Sequence, residues 1–227
     1  MVIEWEESYM KFAKNWGIFF LIGMVVLCIS SPAKAAENPF VDVSPNDVHY
    51  QAIVELFDKG IVEGTSKKTF EPYKAVTRKE AALFIANALQ LDTFDVEDPG
   101  FKDVPKSSKY YGAIAALSQK KIISGYPDGT FKPNHPLTRS QIAKMLSLAF
   151  ELDISKNTTT PFEDVNTIQD IPTRQYIQTL VDYKITTGTT PTTFSPYQSL
   201  TRGQLATFLK RAIDAVDAAN FEFIGVE

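Results

Sequence analysis

Gly125-Tyr126-Pro127-Asp128-Gly129-Thr130-Phe131-Lys132-Pro133, running on into Asn134-His135-Pro136-Leu137-Thr138-Arg139-Ser140-Gln141, is the stretch on which the reading of this chain turns. Proline with a preset φ, aspartate able to bond its own backbone and glycine free to take φ > 0 make Pro127-Asp128-Gly129 a tight turn. Thr138 then opens a helix. Its hydroxyl can accept from the amide three residues on while Gln141 reaches back to the Thr138 amide, the reciprocal pattern of a capping box. Arg139 is out of place by local rules, because a cation at the first helical position opposes the helix dipole at a cost of about 0.3–1 kcal/mol.

The pattern occurs twice more. Gly64 is followed by Phe70, Pro72 and Thr77-Arg78-Lys79-Glu80, and Gly188 by Phe194, Pro196 and Thr201-Arg202-Gly203-Gln204. Glycine to phenylalanine is six residues in every copy, and phenylalanine to arginine is eight. Each copy is preceded by an F-x-D-V tetrapeptide at Phe40, Phe101 or Phe162, with the same 61-residue step between successive phenylalanines. A fixed period of this length means one structural unit used three times.

Outside the repeats, Gly17 to Ile29 is an apolar run with Lys11 and Lys14 before it and Ser30-Ser31-Pro32-Ala33-Lys34-Ala35 after it. This is the pattern of a secretory signal peptide cleaved after Ala35, and it is short for the ~20 apolar residues of a membrane span. Met10 is a more natural start than Met1. Cleavage removes Cys28, the only cysteine, and the Val25-Val26-Leu27 before it does not suit lipid attachment. The predicted divisions are 1–35 signal peptide, 36–91, 92–153 and 154–218 as repeats, and 219–227 as a short tail.

Within each unit the periodicity predicts helix, turn, helix, hence an all-α fold. Tyr50, Ile53, Val54 and Phe57 mark the first helix of unit one, Tyr111, Ile114, Ala115 and Leu117 that of unit two, and Tyr176, Ile177 and Leu180 that of unit three. Unit three is two residues longer, and the extra pair is placed in the loop before its first helix. The second helices carry stronger apolar stripes: Ala81, Ala82, Phe84, Ile85 and Leu89; Ile142, Met145, Leu146 and Phe150; Leu205, Phe208, Leu209 and Ile213. A unit of this size buries little core alone, so the three stripes are expected to pack on one another. Phe70, Phe131, Phe194 and the F-x-D-V phenylalanines are the expected core anchors.

The formal net charge of −4, without basic runs, gives no electrostatic footprint for nucleic acid. His49 and His135 are not repeated and lack metal-ligand spacing, so both read as loop or surface residues. Asp128-Gly129 is not followed by the oxygen-ligand run of a calcium loop. No metal, no cofactor and no enzymatic role is expected, since the repeated acids fall in turns and caps. A wall-glycan hydrolase remains an unfavoured alternative.

The thrice-repeated F-x-D-V, apolar helix, G-x5-F-x-P and T-R-x-E/Q resembles the S-layer homology (SLH) domain family over nearly all of the chain after the leader. The resemblance implies a pseudo-threefold, three-pronged spindle around a central three-helix bundle, and a secreted protein at the Gram-positive cell surface. It implies noncovalent anchoring through secondary cell wall polysaccharide bearing pyruvate ketals, with the arginine of the T-R motif holding the ketal carboxylate in a groove between prongs. A helical scaffold binding another surface protein is the alternative. Oligomeric state is left open.

An arginine set against a helix dipole invites an anion, free amides at a helix start favour one too, and a guanidinium can grip a carboxylate with two bonds. The bland reading is that Arg78, Arg139 and Arg202 pair with Asp42, Asp103 and Asp164. Gly64, Gly125 and Gly188 serve φ > 0 or close approach of ligand, and Tyr126 offers a platform for a sugar ring. These ten residues form the candidate site. Units two and three carry Gln where the family motif usually has Glu, and only unit two keeps the Tyr-Pro-Asp-Gly turn, so the groove formed by that loop and Arg139 is expected to be strongest.

Overall fold

The computed structural model describes residues 38–224, and the leader at 1–35 with its cleavage site and either start codon lies outside them. Seven helices and no sheet make up the described chain: α1 Tyr50–Asp58, α2 Arg78–Ala88, α3 Tyr111–Gln119, α4 Arg139–Ala149, α5 Glu163–Asn166, α6 Ile171–Asp182 and α7 Arg202–Ile224. The fold is all-α, as the periodicity predicts. None of these helices is long and apolar enough to cross a membrane.

The starts of the second helices follow the capping pattern closely. Gln141 Oε1 accepts from Thr138 N at 3.0 Å and Gln204 Oε1 from Thr201 N at 3.1 Å, while Glu80 Oε2 accepts from both Thr77 N and Thr77 Oγ1. The first helices differ between units. α6 has 12 residues against nine in α1 and α3, and its extra length is an N-terminal turn capped by Asp170, whose carboxylate accepts from Thr173 N. The additional residues of unit three therefore extend a helix rather than a loop, and F-x-D-V itself winds into α5.

Each second helix takes its main partner from the next repeat. α2 packs on α3, α4 on α6, and α7 returns to α1, so the chain closes on itself, with a slighter contact between α2 and α7. Mutual packing of the three stripes is thus secondary to exchange between neighbours, because each first helix turns its apolar face to the second helix of the repeat before it. At the hub three buried residues form a ring of backbone hydrogen bonds. Val76 N donates to Leu200 O, Leu200 N to Leu137 O and Leu137 N to Val76 O, at 2.9, 2.9 and 3.1 Å. Three peptides whose side chains are all fully buried thereby satisfy one another.

The repeated phenylalanines are core anchors. Phe70, Phe131 and Phe194 are buried, and their rings lie 5.4, 5.4 and 5.7 Å from those of Phe40, Phe101 and Phe162. Phe101 alone of the six stays partly exposed. The glycines owe their identity to these rings and to the carbonyls of their own loops. A Cβ at Gly64, Gly125 or Gly188 would run into the ring edge of Phe40, Phe101 or Phe162 respectively. Only Gly188 takes positive φ, at 87°, so the expectation of a left-handed turn holds for one of the three.

Candidate functional site: three buried arginines

The aspartate and the arginine of the motif meet at one peptide from opposite sides. Asp42 accepts from Phe70 N and Glu71 N, Asp103 from Phe131 N and Lys132 N, and Asp164 from Phe194 N and Ser195 N, at 2.7–2.9 Å for the shortest contact of each pair. These bonds hold Glu71, Lys132 and Ser195 at φ of 56°, 58° and 60°, a region unfavourable for residues with a side chain. On the far side of the same peptides, Arg202 Nε donates to Phe70 O, Arg78 Nε to Phe131 O and Arg139 Nε to Phe194 O, at 2.8, 2.7 and 2.6 Å. Direct Arg–Asp pairing, the bland reading, does not occur. Each carboxylate shapes a loop whose carbonyl then orients an arginine from the preceding repeat.

Arg78, Arg139 and Arg202 are only 8, 2 and 1% exposed, and each lies over aromatic faces. Arg78 covers Phe131 and Tyr126, Arg139 covers Phe194 and Phe208, and Arg202 covers Phe70 and Phe84. Beyond that they differ. Arg202 donates Nη1 to Glu80 Oε1 and Nη2 to Glu63 O, both at 2.6 Å. Arg78 adds only Ser124 O, at 3.1 Å, and among the described residues Arg139 adds no protein acceptor beyond Phe194 O. No carboxylate lies within 4 Å of Arg78 or Arg139 among the described residues. Burial draws the pKa of both guanidiniums down, for Arg139 to about 10, with Asp164 partly opposing the shift.

Two cavities open on these unpaired cations. One, of about 560 Å³, is lined by Arg78, Gly125, Tyr126, Gln141 and the lysines Lys121 and Lys144. The other, of about 500 Å³, is lined by Arg139, Gly188, Gln204, Thr207, Arg211 and His49. Among the described residues neither lining includes a carboxylate, in a chain whose net charge is negative. The Tyr126 loop of unit two therefore belongs with Arg78, not with Arg139 as its place in the sequence suggested. Tyr126 also carries Lys132 Nζ 4.1 Å from its ring centre, so the aromatic is flanked by two cations.

The helix starts themselves offer no free amides at their first two positions. Arg78 N and Lys79 N donate to His135 O and Pro133 O, Arg139 N and Ser140 N to Gln198 O and Pro196 O, and Arg202 N and Gly203 N to Lys74 O and Pro72 O. The expected backbone contribution to anion binding is thus consumed by the neighbouring repeat, leaving the side chains. Sequence reasoning also missed His49, which is half-buried with Nδ1 2.8 Å from Thr207 Oγ1, and Arg211, which donates to Ile185 O. Neither is repeated, so no periodic signal marked them; His135 is exposed, as expected.

The S-layer homology domain model matches residues 39–82, 100–143 and 161–206, bracketing all three arginine loops. The chain belongs to the S-layer homology domain family. Its relatives include the Surface-layer 125 kDa protein of Lysinibacillus sphaericus, 34% identical over 87% of this chain and 16% of that protein. An S-layer protein of Bacillus thuringiensis subsp. finitimus is 33% identical over 82% of this chain and 23% of its own length. The Cellulosome-anchoring protein of Acetivibrio thermocellus is 29% identical over 87% of this chain and 44% of its own length. This SLH chain thus spans less than half of each of these relatives.

Proposed function

We propose that this chain is a noncatalytic anchor of the bacterial cell surface that holds acidic secondary cell wall polysaccharide, with pyruvate ketal carboxylates as the groups bound. The observation that carries the reading is the pair of buried arginines, Arg78 and Arg139, each facing a carboxylate-free cavity without an ionic partner. Burying a cation unpaired is costly, and a planar carboxylate entering the cavity would supply two charge-assisted hydrogen bonds worth roughly 1.5–3 kcal/mol each. Tyr126 and Phe101, partly exposed beside Arg78, give a sugar ring an apolar face to lie on. Location at the wall rests on family membership and on relatives named as surface-layer and cellulosome-anchoring proteins. Residues 36–91, 92–153 and 154–218 are read as the three repeats behind a secretory leader at 1–35.

Cosedimentation with cell wall sacculi tests the reading. The chain should pellet with pyruvylated walls and stay soluble with walls stripped of polysaccharide, and Arg78→Ala with Arg139→Ala should abolish pelleting. Equal pelleting with both preparations would reject the glycan in favour of a protein partner.

A further inference from the structure

We propose that the cleft between the linker at 92–100 and the start of α3 is a second carbohydrate site, separate from the motif arginines, which takes an uncharged pyranose ring of the wall polysaccharide against Phe94 and Tyr111. It rests on the reading of the chain as a polysaccharide anchor given above. The cleft holds about 570 Å³, and no motif arginine lines it.

Two features that do nothing for the core build this cleft. Phe94 is 96% exposed, the most exposed large apolar side chain among the described residues. It is held out by its own loop: Asp92 Oδ1 accepts from Phe94 N at 2.8 Å and from Asp95 N at 3.3 Å, fixing the turn that presents the ring. The other feature is Gly112, the second residue of α3, where Gln51 and Gln175 stand at the corresponding places of α1 and α6. Glycine weakens a helix. Here a Cβ would run into the Thr93 carbonyl, so the glycine is what lets the linker lie on the helix beside Tyr111. The third repeat has Arg174 in the place of Tyr111, and the site is therefore not repeated.

The polar groups around the two rings fit an uncharged ligand. Lys106 pairs with Asp98 at 2.9 Å and Lys109 pairs with Glu63, so neither cation is left over for an anion, and Asp98 also accepts from Gly100 N. These pairs are exposed and weakly held, so they can share their donors and acceptors with hydroxyl groups without a charge being buried. Aromatic faces flanked by paired donors and acceptors suit a ring with one apolar face and a rim of hydroxyls, which is the shape of a pyranose. The wall polysaccharide is the source because the arginine grooves hold the same polymer, and a second site on one chain raises avidity for it.

Trp5 and Trp16 are the only tryptophans of the chain. With both changed to Phe, Phe94→Trp places a single fluorescent reporter in the cleft. The probe is wall polysaccharide freed of its ketals by mild acid, which offers the arginines no carboxylate. The emission should shift to the blue and saturate as this polymer is added. Without the reporter, Phe94→Ser should lower affinity for the same polymer by roughly fivefold to tenfold at an unchanged melting temperature. Unchanged emission, or equal affinity for Phe94→Ser, overturns the site. So does a shift that grows with protein concentration in the absence of polymer, which marks a second copy, or an equal shift with peptidoglycan stripped of polysaccharide. Arg78→Ala with Arg139→Ala separates the two readings: if pelleting with pyruvylated walls and the emission shift both survive those changes, the arginine reading fails and the linker site stands.

Discussion

Arg202 of the third repeat and Glu80 of the first, 122 residues apart in the chain, are joined by a 2.6 Å ion pair in which the arginine is 1% and the glutamate 15% exposed at the side chain. It ties the end of the ring to its beginning, and it is the one motif arginine among the described residues that has a carboxylate of its own.

Removal of that arginine should therefore cost more stability than removal of its counterparts. Arg202→Met strands Glu80 and breaks two further bonds, a class of change that costs roughly 3–5 kcal/mol. Arg139→Met leaves no buried anion behind and removes a charge held at an unfavourable site, so its loss should be well below that of Arg202→Met. Urea unfolding midpoints of the two variants give the order directly, and equal losses would contradict it.

Acid should weaken the fold through His49. Burial lowers its pKa, with Asp47 raising it and Arg211 lowering it further, so the unfolded chain takes up a proton before the folded one does as pH falls below 6.5. Stability from the neutral ring is present above that value and is lost as pH drops through the folded pKa. The melting temperature should fall between pH 7 and pH 5, and His49→Gln should flatten that fall. A carboxylate ligand in the Arg139 cavity favours protonated His49, so saturating ligand should flatten it too.

Asp103→Ala removes the two charge-assisted bonds to Phe131 N and Lys132 N and frees Lys132 to leave its φ of 58°. A loss of about 3 kcal/mol is expected from two such bonds. Binding at the Arg78 groove should fall with it, because the Phe131 carbonyl that orients Arg78 shifts. Retained affinity in a destabilised protein would show that the loop is not what positions the arginine.

Gly60, Lys121 and Lys184 are equivalent positions after the first helices, all with positive φ, at 69°, 59° and 57°. Only the first repeat has the residue suited to that conformation. Lys184→Gly should stabilise the chain by about 1 kcal/mol and Gly60→Ala should destabilise it by a similar amount. Chemical denaturation of the two variants checks both signs.

Much of this was legible in the chain because it is local. The 61-residue step, the capping threonines with Glu80, Gln141 and Gln204, and the buried phenylalanines follow from spacing and side-chain type, which act within a few residues. Arginine at the first helical position stands out as a local cost and points at the candidate site. What periodicity could not carry was the partner of each arginine, since all three copies look alike from inside one repeat.

The repeat, the helical class, the caps and the identity of the candidate arginines were all readable from the order of the residues. Tertiary packing carries each arginine across to the next repeat, over 53, 55 or 132 residues, so that Arg78 meets the Tyr126 loop, Arg139 shares a cavity with His49 and Arg211, and Arg202 meets Glu80. The physical reason is closure: short helices bury their apolar faces only against a neighbour, and once the last repeat packs on the first, a single Glu in place of Gln falls opposite one arginine and leaves the other two without an anion.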